Sequence, residues 1–109
     1  MNPPNLPMAA CRFLPGQIVY HVRYHYRGVV AMVDPSCQAD EAWYRRNRTQ
    51  PDRNQPWYHV LVDGSEQTTY VAEENLVPAR DRSRIRHRLV HRFFSLYANG
   101  RYYQGITLN

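Results

Sequence analysis

The chain contains no lysine: all 14 of its basic residues are arginine. It has no apolar run approaching the ~20 residues that a membrane-crossing helix needs, so that class of protein is excluded. Its first residues, MNPPNLPMAAC, carry neither the basic segment nor the apolar core of a secretory signal. A reducing, cytoplasmic setting is therefore the expectation. Cys11 and Cys37 are too few for a disulfide framework or a zinc-ligand pattern, although a single bridge between them stays open. No glycine-rich phosphate loop and no nucleophile motif is present. The reading is of a binding protein rather than an enzyme, with no cofactor, no metal and no membrane partner.

What the chain does have is positive charge and aromatic rings. Its 109 residues suit one domain, with a formal net charge of +5 and nine tyrosines. Arginine is more weakly hydrated than lysine, and its planar fork meets carboxylate or phosphate through two parallel hydrogen bonds. The composition thus favours an anionic partner without naming it. GC-rich codon usage would produce the same all-arginine pattern.

Residues 1–12 hold three prolines and no periodicity, and read as a disordered lead to a domain over 13–103, with a tail over 104–109. A strand is expected at 17–22 after the Pro15-Gly16 turn, and another at 27–33, stopped by Asp34-Pro35 because proline cannot donate to a ladder. Within the polar excursion 36–54, the run DEAWYRR fits one or two helical turns. Its acids come early and its arginines late, as the helix dipole prefers, with Glu41 and Arg45 at i, i+4.

Residues 55–75, QPWYHVLVDGSEQTTYVAEEN, read as two strands, 57–62 and 68–72, around an Asp63-Gly64 turn. A Glu73-Glu74-Asn75 corner closes them, and Leu76-Val77-Pro78 leads out. Further on, alternating arginines from Arg80 to Arg88 would share one side of an extended segment. Leu89, Phe93, Leu96 and Tyr97 stand at helical spacing and predict a short helix capped by Asn99-Gly100. The same dipeptide could instead turn a hairpin into residues 101–103. The fold class expected is all-β: a small bent barrel of about five strands, with a short helix in 36–54 and one near the C-terminus. Barrel closure would protect strand edges.

The succession GQIVYHVRYHYRGVVAMVDP, a tryptophan-bearing loop, QPWYHVLV and YVAEENL resembles the HspQ/YccV-like family, also called the hemimethylated-DNA-binding domain. The residues that carry the likeness are Gly28, Asp34, Pro35, Gln55, Pro56, Trp57, Tyr58, His59, Tyr70, Glu73, Glu74 and Asn75. The resemblance implies an SH3-like β-barrel without enzymatic activity and with a preference for hemimethylated DNA. It also implies a role in proteolysis as a substrate and specificity factor of the Lon protease, and a homo-oligomer. Two positions depart from the family: Tyr20 replaces a usual basic residue, and His25 a usual glycine. Histidine enters positive φ less readily than glycine, so the turn around His25 is expected to differ.

For DNA, the candidate residues are Arg23 and Arg27, Arg45, Arg46 and Arg48, and Arg84, Arg86, Arg88 and Arg92, with Tyr24 and Tyr26 available to stack. Such binding would be phosphate-driven and salt-sensitive, and nothing resembles a recognition helix for the major groove. An aromatic groove of Tyr20, Tyr24, Tyr26 and Tyr58 could alternatively take an extended peptide. The remaining candidates read as structural. His59 should be a hydrogen-bonded strand histidine, and Trp57 a core anchor behind Pro56. Glu73 and Glu74, being adjacent, diverge too far for paired acid–base work and should accept backbone N–H groups. Gly28 is expected to let its strand bend, and His87 with His91 lacks a third metal ligand nearby.

Overall fold

In the computed structural model, residues 10–105 are described. Most of the expected lead, residues 1–9, lies outside them. Residues assigned to its end are built into the fold: Cys11 is buried, and the Arg12 amide donates to Glu73 Oε2 at 2.9 Å.

The strands are β1 (Ile18–His21), β2 (Arg27–Asp34), β3 (Trp57–Val62), β4 (Thr68–Ala72), β5 (Leu76–Pro78), β6 (Leu96–Ala98) and β7 (Arg101–Tyr103). The helical elements are α1 (Glu41–Arg46), a 3-10 turn at Glu73–Asn75, and α2 (Val90–Phe93). The first five strands form one antiparallel sheet in the order β4-β3-β2-β1-β5, and β6 pairs with β7 as a separate hairpin. The all-β expectation is met, but the barrel is not closed. The outer strands β4 and β5 end the sheet without pairing to each other.

Both faces of the sheet are covered, which explains why its strands read as continuous apolar runs instead of alternating ones. Successive residues point to opposite sides. Val19, Val30 and Val60 enter one cluster with Phe13, Tyr58, Val71 and Leu76, while Ile18, Val29 and Leu61 enter another with Ile85, Phe94 and Tyr102. The C-terminal segment supplies that second cover. From Arg84 to Arg88 the chain alternates as expected, with Ile85 and His87 inward and the arginines outward.

Two local expectations are revised. Bending is not what the contacts at Gly28 show. A Cβ there would lie 2.4 Å from Val60 Cγ1 and 2.6 Å from the Leu61 carbonyl, so its absence lets β2 approach β3. The irregularity sits instead between Val30 and Met32, where the register shifts. Nor does Asn99-Gly100 cap a helix. α2 stops after four residues, and Asn99 (φ 53°) and Gly100 (φ 76°) turn the β6–β7 hairpin, as consecutive positive φ values suit. The reversal brings Tyr102 back beside Phe94, with ring centroids 5.5 Å apart in the second cluster. The hairpin is pinned by the Tyr102 amide donating to the Gly16 carbonyl at 2.9 Å, and by the Ile85 amide donating to Tyr102 Oη at 2.8 Å.

The acidic corner is structural. Tyr58 Oη donates to Glu73 Oε2 at 2.6 Å and accepts from the Phe13 amide at 3.2 Å. Burial, with Glu73 beside it, pushes the Tyr58 phenol well above its ordinary value. Glu74 pairs elsewhere: its amide donates to Gln55 Oε1 at 3.0 Å, and Gln55 Nε2 donates back to Glu74 Oε1 at 2.6 Å. Cys11 and Cys37 are both free, buried thiols in different clusters.

Candidate nucleic-acid interface

Three segments meet around a cleft of about 780 Å³: the β1–β2 turn, strand β4 and the α1 lobe. The rings of His21, Tyr24, Tyr26, Trp43, His59 and Tyr70 line it. It continues into a second hollow of about 590 Å³ bordered by Arg46, Arg48 and Asn75.

The turn is held by His21. Its Nδ1 accepts the amides of Arg23 and Tyr24, each at 3.1 Å, so Nδ1 carries no proton. His25 adopts φ 60°, the conformation for which a glycine would be suited. Its amide donates to the His21 carbonyl at 2.9 Å, and its Nδ1 bonds Tyr20 Oη at 3.0 Å. The positive φ at His25 is thus held by two local bonds. Tyr26 Oη bonds Thr69 Oγ1 at 2.7 Å, tying the turn to β4.

Burial, reinforced by Arg23 and His25, lowers the pKa of His21. The folded state therefore favours neutral His21, whereas the unfolded chain protonates it around pH ~6.5. Its contribution to stability is complete above that pH and falls as pH drops toward the lowered folded value. We expect the urea midpoint to decline as pH drops below ~6.5. His21→Asn, whose side-chain oxygen can accept the same amides without titrating, should flatten that decline. Parallel profiles for the two proteins would remove His21 from the account.

The lobe is built around Trp43. Asp40 caps α1 by accepting the Trp43 amide at 2.8 Å, and Trp43 packs edge-on against Tyr70 and Trp57, at 5.6 and 6.2 Å between centroids. Tyr70 then joins lobe to sheet. Its hydroxyl donates to Asp34 Oδ2 at 2.6 Å and accepts the Gln38 amide at 3.0 Å. His59 Nε2 reaches the same Asp34 oxygen at 3.2 Å, and its ring lies 4.6 Å from that of Tyr70. Burial, then Asp34, raises the Tyr70 phenol pKa.

The sequence-predicted arginines separate into four groups. Arg46 and Arg48 are exposed and border the second hollow, Arg23 is exposed on the turn between the cleft residues His21 and Tyr24 without lining either hollow, and the Arg48 guanidinium lies 6.0 Å from the centre of the Tyr24 ring. Arg45 is exposed but paired with Glu41 at 2.8 Å. Arg84, Arg86, Arg88 and Arg92 do not line the cleft. Arg84 stacks on Tyr97 at 4.6 Å, Arg88 pairs with Glu66 at 2.9 Å, and Arg86 borders the β3–β4 turn. Arg27 is internal: its guanidinium donates to Asp63 Oδ2 at 3.0 Å and to the carbonyls of Asp81, Ser83 and Arg84. Those bonds strap the C-terminal segment to the sheet and occupy Arg27.

The proposed peptide groove does not assemble as read. Tyr24 and Tyr26 share the cleft, but Tyr58 is fully buried and Tyr20 borders a separate apolar hollow beside Val77 and Pro78. His87 uses both ring nitrogens, Nε2 toward the Gln67 carbonyl at 3.0 Å and Nδ1 toward the Leu89 amide at 3.1 Å. No group of three metal-ligating side chains occurs among the described residues.

A family model described as "Hemimethylated DNA-binding protein YccV like" matches residues 11–101. The chain belongs to the YccV-like family. The matched span of this YccV-like domain begins at the buried Cys11 and extends into β7, so it takes in the C-terminal cover as well as the sheet. Among the described residues, no helix is long and apolar enough to cross a membrane. Sequence reasoning passed over Trp43 as a cleft residue. The available signal was a tryptophan in an otherwise polar run, DEAWYRR, where nothing in the local pattern requires one.

Proposed function

We propose that this YccV-like domain binds DNA through the cleft face, with Arg23, Arg46 and Arg48 on the phosphate backbone. One observation carries the reading: Arg46 and Arg48 border the hollow that continues the aromatic cleft, Arg23 stands on the turn between two cleft residues, and none of the three has an acidic partner among the described residues. Unpaired guanidiniums lose little on meeting phosphate, whereas Arg27 would have to break bonds already made. The family description supports preference for hemimethylated duplexes. The antiparallel order, with β1 between β2 and β5, supports an SH3-like description of the open sheet. The test is a salt titration on hemimethylated, fully methylated and unmethylated duplexes of one sequence. The hemimethylated duplex should bind most tightly. Equal binding of all three, with release together as salt rises, would leave generic basicity and no methylation specificity.

A second reading is of a protein partner in the cytoplasm: a homo-oligomer that modulates a Lon-type protease. The favouring observation is that β4 and β5 leave two unpaired sheet edges, beside exposed Val77 on β5. Such edges accept added strands. Its measurement is the turnover of a Lon client with and without the protein. Identical rates would count against it.

A further inference from the structure

Resting on the DNA-binding reading, we infer that the cleft seats a single nucleobase drawn out of the double helix, stacked on Trp43 and Tyr24, with an exocyclic amine donated to Asp34. Three observations converge on this ligand. The first is the aromatic lining. Trp43, Tyr70 and His59 form a continuous contact series, at 5.6 and 4.6 Å between centroids, while Tyr24 stands 45% exposed. Base–aromatic stacking needs such faces and tolerates any base.

The second is an available acceptor. Both hydrogen bonds to the Asp34 carboxylate fall on Oδ2; Oδ1 accepts from no described residue, although the side chain is only 22% exposed. An ionised carboxylate offers about four lone-pair positions, so an N–H donor can still be accommodated. The third is the order of charge, with Arg46 and Arg48 on the adjoining hollow, Arg23 on the turn beside it, and a carboxylate in the cleft. A nucleotide has the complementary order, with phosphate outside and an amine-bearing base inside. Asp34 repels phosphate, so the backbone stays with Arg23, Arg46 and Arg48 and only the base enters. A basic peptide side chain aimed at Asp34 would meet repulsion from the arginines of the adjoining hollow.

Taking a base from a duplex costs unpairing and unstacking energy, which is least for a base without a partner. The experiment compares a perfectly paired duplex with the same duplex carrying one unpaired adenine or one unpaired thymine, at low salt. Affinity and tryptophan emission are both recorded. Trp57 is 1% exposed, so Trp43 supplies the responsive signal. We expect the unpaired-adenine duplex to bind about tenfold more tightly than the paired one and to change the Trp43 emission. Tyr24→Ala, at an exposed position, should lose most of that advantage without disturbing the sheet. In Asp34→Asn the amide oxygen can keep the Tyr70 and His59 bonds and turn its NH₂ toward the base, which should erase the preference for adenine over thymine. Equal affinities with unchanged emission would overturn base seating and leave DNA binding on the arginines intact. Failure of every duplex to bind at low salt would overturn the DNA-binding reading together with it.

Discussion

Gly16→Ala is expected to cost about 4 kcal/mol or more, a large part of the 5–15 kcal/mol that holds a typical domain together. Gly16 has φ 95°, and a Cβ there would lie 2.1 Å from the Tyr102 carbonyl oxygen. The backbone conformation alone penalises a side chain by about 1–3 kcal/mol. The remainder comes from the neighbour. The obstructing atom belongs to β7, which cannot retreat without withdrawing Tyr102 from the second cluster and breaking its amide bond to Gly16. Urea unfolding checks this. A lower midpoint with a reduced slope would mean that the hairpin has come off a sheet that survives, and a lower midpoint at full slope would mean loss of the whole domain. A shift below about 1 kcal/mol would show that the hairpin contributes little.

Replacing Arg23, Arg46 and Arg48 together by glutamine is expected to flatten the salt dependence of DNA binding. Each phosphate contact releases counterions worth about 0.9 in the slope of log K against log salt, so three contacts account for roughly 2.7. Between 50 and 200 mM salt that corresponds to a change of about 40-fold which the variant no longer shows. The fold should be indifferent, because all three side chains are exposed and none bridges to an acid among the described residues. The companion variant replaces Arg84, Arg88 and Arg92. It should keep the slope, since those residues lie outside the cleft. If the companion loses the slope and the cleft variant keeps it, the DNA surface lies beside the β3–β4 turn and the C-terminal hairpin instead.

These two residue sets show where sequence reasoning reached and where it stopped. Local chemistry was readable. Trp57–Val62 and Thr68–Ala72 are strands where β-branched and aromatic residues flank an Asp-Gly turn, and α1 follows from Asp40 and the charge order of DEAWYRR. The two-residue signal at Asn99-Gly100 was ambiguous because a helix end and a hairpin both need positive φ. Packing decided it, since the second face of the sheet required Phe94 and Tyr102 side by side. The cleft was harder still. Its rings come from positions 21–26, 43, 59 and 70 and converge only after the α1 lobe has folded onto Trp57 and Tyr70. Arginine burial was unreadable for a related reason. Arg27 and Arg23 are four residues apart with similar neighbours, yet only Arg27 meets Asp63 and three carbonyls supplied by the distant segment 81–84.

The bond between Gly16 and Tyr102 also bears on the order in which the protein can be made. A chain leaving the ribosome presents β1 and β2 first, and the sheet can pair up to β5 once residue 78 has emerged. One face of that sheet still lacks its cover, because Ile85, Phe94 and Tyr102 come later. During that interval Ile18, Val29 and Leu61 face water, and transiently exposed apolar surface is where nascent chains aggregate. A stall or truncation shortly before Tyr102 would therefore release a nearly complete sheet with one face bare, a natural client for chaperones and proteases. Translation through the last strand sets the moment at which this domain is finished.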